Sequence, residues 1–279
     1  MSRLKAGAAQ RDAPLPLIAE GALGRWILSV LDLLEGVWHN EASPPSLGHG
    51  EPLDGLVLTV LSQNTNDRNR DRAFERLKAR FPTWESVVGA GAEALEDAVR
   101  PAGLAPTKAR RILEILEIVR GDFGAYSIAA LAERGRDEAR RYLTALPGVG
   151  EKTAACVLMF DMGLPAFPVD THVSRVCRRV GFVPEKASPD AVCAVMEREV
   201  PPSRYLGGHV NIIEHGRAVC AARKPLCEAC PLTALCTVGR GRIAESMSMA
   251  AKRLEESKRD GRDRAVRRRG GAENDAERD

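Results

Sequence analysis

The chain lacks bulk charge of one sign. Its formal net charge is only +3 over 279 residues, so any case for a nucleic-acid partner must come from motifs and not from overall electrostatics. Aromatic residues are few, 4%, in an otherwise ordinary apolar composition. There is no long apolar run. The stretch around Gly55–Leu61 is far too short to cross a bilayer, which takes about 20 residues, and no membrane association is expected. The N-terminus, MSRLKAGAAQRDAP, has no apolar signal core, which predicts a cytoplasmic protein with reduced thiols. Alternation of apolar and polar residues is also missing, and with it any predicted strand.

What is present is helical. Apolar residues recur at helical spacing in Trp26-Ile27-Val30-Leu31-Leu34, in Leu113-Ile115-Leu116-Val119 and in Ala154-Val157-Leu158, predicting an all-α chain. Ser188 before Pro189 reads as an N-cap with proline in the first turn, and Thr107 as the cap of the helix running through Leu116. Asn40–Gly50 reads as a loop. Near Ala244 the sequence becomes mixed in charge and poor in large apolar residues, predicting a disordered tail in which Arg267-Arg268-Arg269 offers electrostatic help at most. No internal repeat is found. At this length the chain makes one large domain or two small ones.

The densest chemical signal is Cys220, Cys227, Cys230 and Cys236, a C-x6-C-x2-C-x5-C run. Four thiolates so close together can surround one metal centre, and in a reducing compartment they read as ligands and not as disulfides. Spacing alone leaves zinc and iron–sulfur both open, since each accepts four cysteines. Cys156, Cys177 and Cys193 stand apart and read as buried core thiols.

Leu146-Pro147-Gly148-Val149-Gly150-Glu151-Lys152-Thr153-Ala154 lies between two helical patterns. The glycine pair, Gly148 and Gly150, predicts a tight turn whose backbone N–H groups and following helix N-terminus suit a phosphate; a plain helix–turn–helix corner is the competing reading. Lys152 falls in the first turn, where the helix dipole disfavours a cation and so favours the neutral, nucleophilic amine. The dipole is worth at most about 2 kcal/mol, against about 1.4 kcal/mol per pKa unit. It cannot bring a lysine to neutrality alone, so a nucleophilic Lys152 requires a partly desolvated pocket. In Val169-Asp170-Thr171-His172, Asp170 reads first as an N-cap and His172 first as a packing or hydrogen-bonding residue.

Taken in this order, LPGVGEKTA, VDTH and the cysteine run resemble the endonuclease III family of helix-hairpin-helix DNA glycosylases. Leu61-Ser62-Gln63-Asn64-Thr65-Asn66-Asp67, Gly103-Leu104 with Lys108-Ala109, and His215-Gly216-Arg217 extend the likeness from Trp26 to Cys236. The resemblance implies that Lys152 attacks the sugar C1′ of a damaged nucleotide and that Asp170 is also catalytic. It implies that Cys220, Cys227, Cys230 and Cys236 hold a [4Fe-4S] cluster. It makes Gly148 and Gly150 part of the DNA-binding hairpin, with His172, Arg223 and Lys224 as further DNA contacts. Leu104 becomes the candidate wedge in the base stack, and Gln63 and Asn64 the polar plug facing the orphaned base. Family members often carry Gln where Asn64 stands, which leaves partner-base preference and lesion range open. Adenine-mismatch relatives usually carry Glu at the position of Thr59.

The resemblance implies a base excision repair enzyme that removes oxidised pyrimidines from duplex DNA and cleaves the abasic site by β-elimination through a lysine Schiff base. A monofunctional mismatch or uracil-type glycosylase and a non-catalytic iron–sulfur DNA-binding protein are the alternatives. The expected architecture is two helical subdomains around a DNA-binding cleft: residues 53–165 with the helix-hairpin-helix, and residues 22–52 plus 166–240 with the cluster loop. Residues 1–21 form an extension and 241–279 the tail. The expected protein is a monomer, nucleoid-associated if prokaryotic.

Overall fold

The computed structural model describes residues 21–40, 50–245, 247–249 and 252. Among these the chain is helical with no β-strand, as the periodicity predicts. The helices are α1 (Ala22–Glu35), α2 (Pro52–Ser62), α3 (Asp67–Arg80), α4 (Trp84–Val99), α5 (Ala105–Phe123), α6 (Arg136–Ala145), α7 (Glu151–Phe160), α8 (Thr171–Val180), α9 (Pro189–Glu199) and α10 (Tyr205–Ala218). No described helix is long and apolar enough to cross a membrane.

Local chemistry sets several of the boundaries. Asn66 caps α3 by accepting the N–H of Asn69 at 2.9 Å. Thr83 and Ser86 close a reciprocal capping box on α4. Ser188 caps α9 through the N–H of Ala191 at 3.1 Å, with Pro189 at the first helical position where a missing N–H is harmless. Thr107 does not cap α5. That helix begins two residues earlier at Ala105, with Pro106 in its first turn and Leu104 as N-cap in the left-handed region, φ 50°, ψ 34°.

Apolar burial separates into two cores. One is built from α2 to α7, running from Leu53 to Ala166. The other joins α1 to α8, α9 and α10, with Phe167, Tyr205, Leu232 and Cys236 among its members. Arg140 of α6 reaches across to Glu197 of α9 at 2.6 Å, and the same carboxylate accepts the Phe167 N–H at 3.1 Å. Cys156 and Cys177 are buried, as expected of core thiols, whereas Cys193 is half-buried.

The tail departs from expectation where it starts. Residues 237–245 and 247–249 are helical, and Val238 packs on the second core. Ile243 and Met249 line a hollow with Leu226, so apolar contacts extend order past residue 241. Arg267-Arg268-Arg269, the extension 1–20 and loop residues 41–49 lie outside the described residues.

Candidate nucleic-acid interface and active site

α6, the turn Leu146–Gly150 and α7 form a helical hairpin. Gly148 has φ +74°, a region that favours glycine, and an added Cβ would lie 2.6 Å from Cδ of Arg111. Val149 is buried beneath the turn while both glycines stay exposed. Gly150 caps α7 with no side-chain hydrogen bond, so no side chain covers the helix's first N–H groups and they can meet an anion.

Lys152 is the second residue of α7, and Asp170 is the N-cap of α8. Both line one cavity of about 440 Å³, together with Leu58, Thr59, Cys156, Phe160, His172 and His209. One carboxylate oxygen of Asp170 accepts the Val173 N–H at 2.8 Å, so the capping role read from sequence is real. Lys152 is exposed, which corrects the expectation of a partly desolvated pocket. It sits on the open rim of the cavity, where only a bound partner can remove its water. Cys156 lies one turn beneath it. Burial pushes the Cys156 thiol up, opposed in part by the Lys152 ammonium. His172 accepts from Arg175 through Nδ1 at 3.1 Å and forms part of the same wall.

His209 went unnoticed in the sequence because nothing local marks it. Its Nδ1–H donates to the Pro168 carbonyl at 2.8 Å, and its ring packs against Phe160 and Phe167. Burial pushes His209 down to about 4. Its folded pKa is therefore below the unfolded value of about 6.5, and protonation favours unfolding. Stability is full above about pH 6.5 and is lost as the pH falls toward 4, by about 3 kcal/mol from this residue. Melting temperature followed from pH 7.5 to 4.5 should fall in the wild type and fall less steeply in His209→Gln. Parallel curves would contradict this assignment.

Leu104 is 58% exposed, so it is not a core leucine and is free to meet a partner. Its left-handed backbone costs about 1–2 kcal/mol for a residue with a Cβ, the kind of strain that persists where the surroundings over-determine it. Asn64 is exposed and also left-handed, φ 56°, a conformation asparagine tolerates. Gln63 is different. Its side chain accepts from Arg111 at 3.1 Å and donates to the Gly148 carbonyl at 3.0 Å, so it braces the hairpin while Asn64 is the one presented. Arg223 and Lys224 are exposed in the loop between Cys220 and Cys227.

All four cysteines of the C-terminal run line one small cavity with Val180, Leu226 and Leu232. Among the described residues no three potential ligands stand close enough together to hold a single metal ion. Nitrogen donors face the sulfurs: Gly239 N–H to Cys236 Sγ at 3.2 Å and Arg179 Nη1 to Cys220 Sγ at 3.5 Å. His215 Nε2 stands 3.6 Å from Cys230 Sγ. Arg179 also donates to the carbonyls of Ala221 and Ala222 at 2.7 and 2.9 Å, which fastens this loop to the helix that Asp170 begins.

A helical hairpin with an open, glycine-lined turn, a lysine and an aspartate in one cavity, and two exposed residues with left-handed backbone, Asn64 and Leu104, agree with one class: a helix-hairpin-helix base excision DNA glycosylase. The model of the HhH-GPD superfamily base excision DNA repair protein matches residues 57–202. The chain is 35% identical to endonuclease III of Thermotoga maritima over 192 residues, 69% of this chain and 85% of that one. A protein of Arabidopsis thaliana is 37% identical over 172 residues, 62% of this chain but only 59% of the relative's length. The structure of a trapped endonuclease III–DNA covalent intermediate superposes with a TM-score of 0.69 and 31% identity, covering 79% of this chain and 98% of that one. The chain belongs to the endonuclease III family.

Proposed function

We propose that this protein removes oxidised pyrimidines from duplex DNA and then cleaves the strand at the abasic site by β-elimination. The observation that carries the proposal is that Lys152 and Asp170 line the same cavity. A base inside a duplex is out of reach, so the nucleotide must be rotated out at a cost of a few kcal/mol. Leu104 inserts into the gap and Asn64 faces the unpaired partner base. The hairpin N–H groups at Gly148 and Gly150 hold backbone phosphate, with Arg223 and Lys224 contacting phosphate farther along and His172 lining the nucleotide's path.

Lys152, exposed in the free protein, loses water when DNA covers the cavity mouth. Its neutral amine attacks C1′ as the damaged base leaves with the bonding pair; the nitrogen then loses a proton and the C1′–O4′ bond opens, O4′ taking up a proton, which gives the Schiff base. Asp170 stabilises the positive charge that develops on the sugar. Its contribution lies in the transition state and not in activating the amine. Proton loss at C2′ then expels the 3′ phosphate. Thr59 in the cavity wall supplies no carboxylate where adenine-mismatch relatives usually carry Glu, which disfavours that activity. We read the two cores as two subdomains, residues 53–165 and residues 22–52 with 166–240, with DNA bound between them.

We infer further that Cys220, Cys227, Cys230 and Cys236 hold a [4Fe-4S] cluster. Their common cavity and the nitrogen donors around the sulfurs suit an anionic cluster. When bound, the cluster serves as a structural clasp on the loop carrying Arg223 and Lys224. Purified protein should contain about four iron and four sulfide per chain; one zinc and no sulfide would refute the assignment.

The activity is tested on duplexes containing thymine glycol, a uracil mismatch or adenine opposite 8-oxoguanine. Release of thymine glycol with strand cleavage is expected. Release of uracil or adenine alone, without cleavage, would establish a monofunctional enzyme instead.

A further inference from the structure

Lys108 is a cation that is 2% exposed and that the reaction above does not use. Its Nζ donates to the carbonyls of Leu61 at 2.7 Å and Ala102 at 2.8 Å. No salt bridge to Lys108 is formed among the described residues, and burial lowers its pKa. A buried lysine is costly unless paired, and methionine would fill the space without that cost. Its acceptors show what the charge does. Leu61 lies in the last turn of α2, directly before Ser62, Gln63 and Asn64. Ala102 ends the short 3-10 turn Arg100–Ala102, directly before Gly103 and Leu104. Both carbonyls sit at C-terminal ends, where unpaired C=O groups collect negative potential. One ammonium therefore ties together the roots of the two segments that carry the left-handed residues Asn64 and Leu104.

The same face of α5 continues the arrangement. Leu104, Lys108 and Arg111 follow at helical spacing. Arg111 holds the Gln63 side chain and packs against Gly148 of the hairpin.

We propose that Lys108 is a positioning residue that fixes the separation between the Leu104 loop and the Gln63–Asn64 segment, so that both enter the base stack as one unit. This rests on the reading of Leu104 and Asn64 as the residues that enter the duplex. Lys108→Met keeps the volume and removes both hydrogen bonds. Small misplacements of positioning groups cost up to about 100-fold, and here the loss should depend on how hard the base is to extract. The experiment compares thymine glycol in a fully paired, G·C-flanked duplex with thymine glycol opposite a mismatched base between A·T pairs, where opening is easy.

For Lys108→Met, kcat/KM on the paired substrate should fall about 10- to 100-fold, and on the mismatched substrate less than about 3-fold. A purely structural role would lower both alike, and equal losses or no loss would overturn the proposal. Arg111→Met, which releases Gln63 and alters the packing on Gly148 but leaves both Lys108 hydrogen bonds in place, should give a smaller loss with the same selectivity. It decides the matter if Lys108→Met does not fold, and its failure to discriminate would then overturn the proposal. Wild-type protein inactive on both substrates would instead overturn the underlying reading of the activity.

Discussion

Asp170→Asn will lower single-turnover base release by about 100- to 1,000-fold, the usual loss when one preorganised electrostatic contact to a transition state is removed, and will leave the melting temperature nearly unchanged. The separation is possible because Asp170 has two tasks. As N-cap it accepts the Val173 N–H at 2.8 Å, and asparagine caps a helix about as well as aspartate. As a cavity-lining carboxylate it supplies negative charge toward the sugar, where positive charge develops as the base departs, which asparagine cannot. Asp170→Ala removes both and should cost about 1 kcal/mol of stability besides. If Asp170→Asn releases base within about 3-fold of wild type, Asp170 is a cap and nothing more.

Cys236→Ser will show the second large effect, on stability. Serine is close in size but offers a hard oxygen in place of a soft thiolate. Cys236 belongs to the second core and is 9% exposed, and its sulfur accepts the Gly239 N–H. Loss of a metal centre is among the few changes that exceed about 4 kcal/mol, roughly 10 °C of melting temperature for a chain of this size. Iron should fall from about four per chain toward none. Cys193→Ser, outside the run, should leave iron unchanged. Full iron in Cys236→Ser would remove Cys236 from the ligand set.

What was legible in the sequence was local. The Asp170 and Ser188 caps, the Gly148 turn and the helical periodicity each depend on residues within one or two turns, and the structure bears them out. The start of α5 was misread because a leucine in a left-handed N-cap carries no sequence signal, whereas Thr107 resembles a cap. The company around Lys152 was not legible. Cys156 looks like any small core residue, and its place beneath Lys152 and beside Asp170 depends on how α7 meets α8. His209 follows Asp170 only after α8 and α9, and packing alone brings it to the cavity. Lys108 was visible as part of a motif, but its carbonyl partners at Leu61 and Ala102 arise from three separate segments meeting. The dipole argument placed Lys152 in a partly desolvated pocket, yet it stands on an exposed rim, because in an enzyme for so large a substrate the substrate itself can exclude the water.

The central claim, a covalent route through Lys152, is tested most directly by borohydride trapping on duplex DNA containing thymine glycol or an abasic site, followed by mass spectrometry of the cross-linked peptide. The account predicts an adduct with wild-type protein, carried on Lys152 and absent from Lys152→Gln. An adduct of equal yield in Lys152→Gln, or base release by the wild type with no adduct at all, would contradict it.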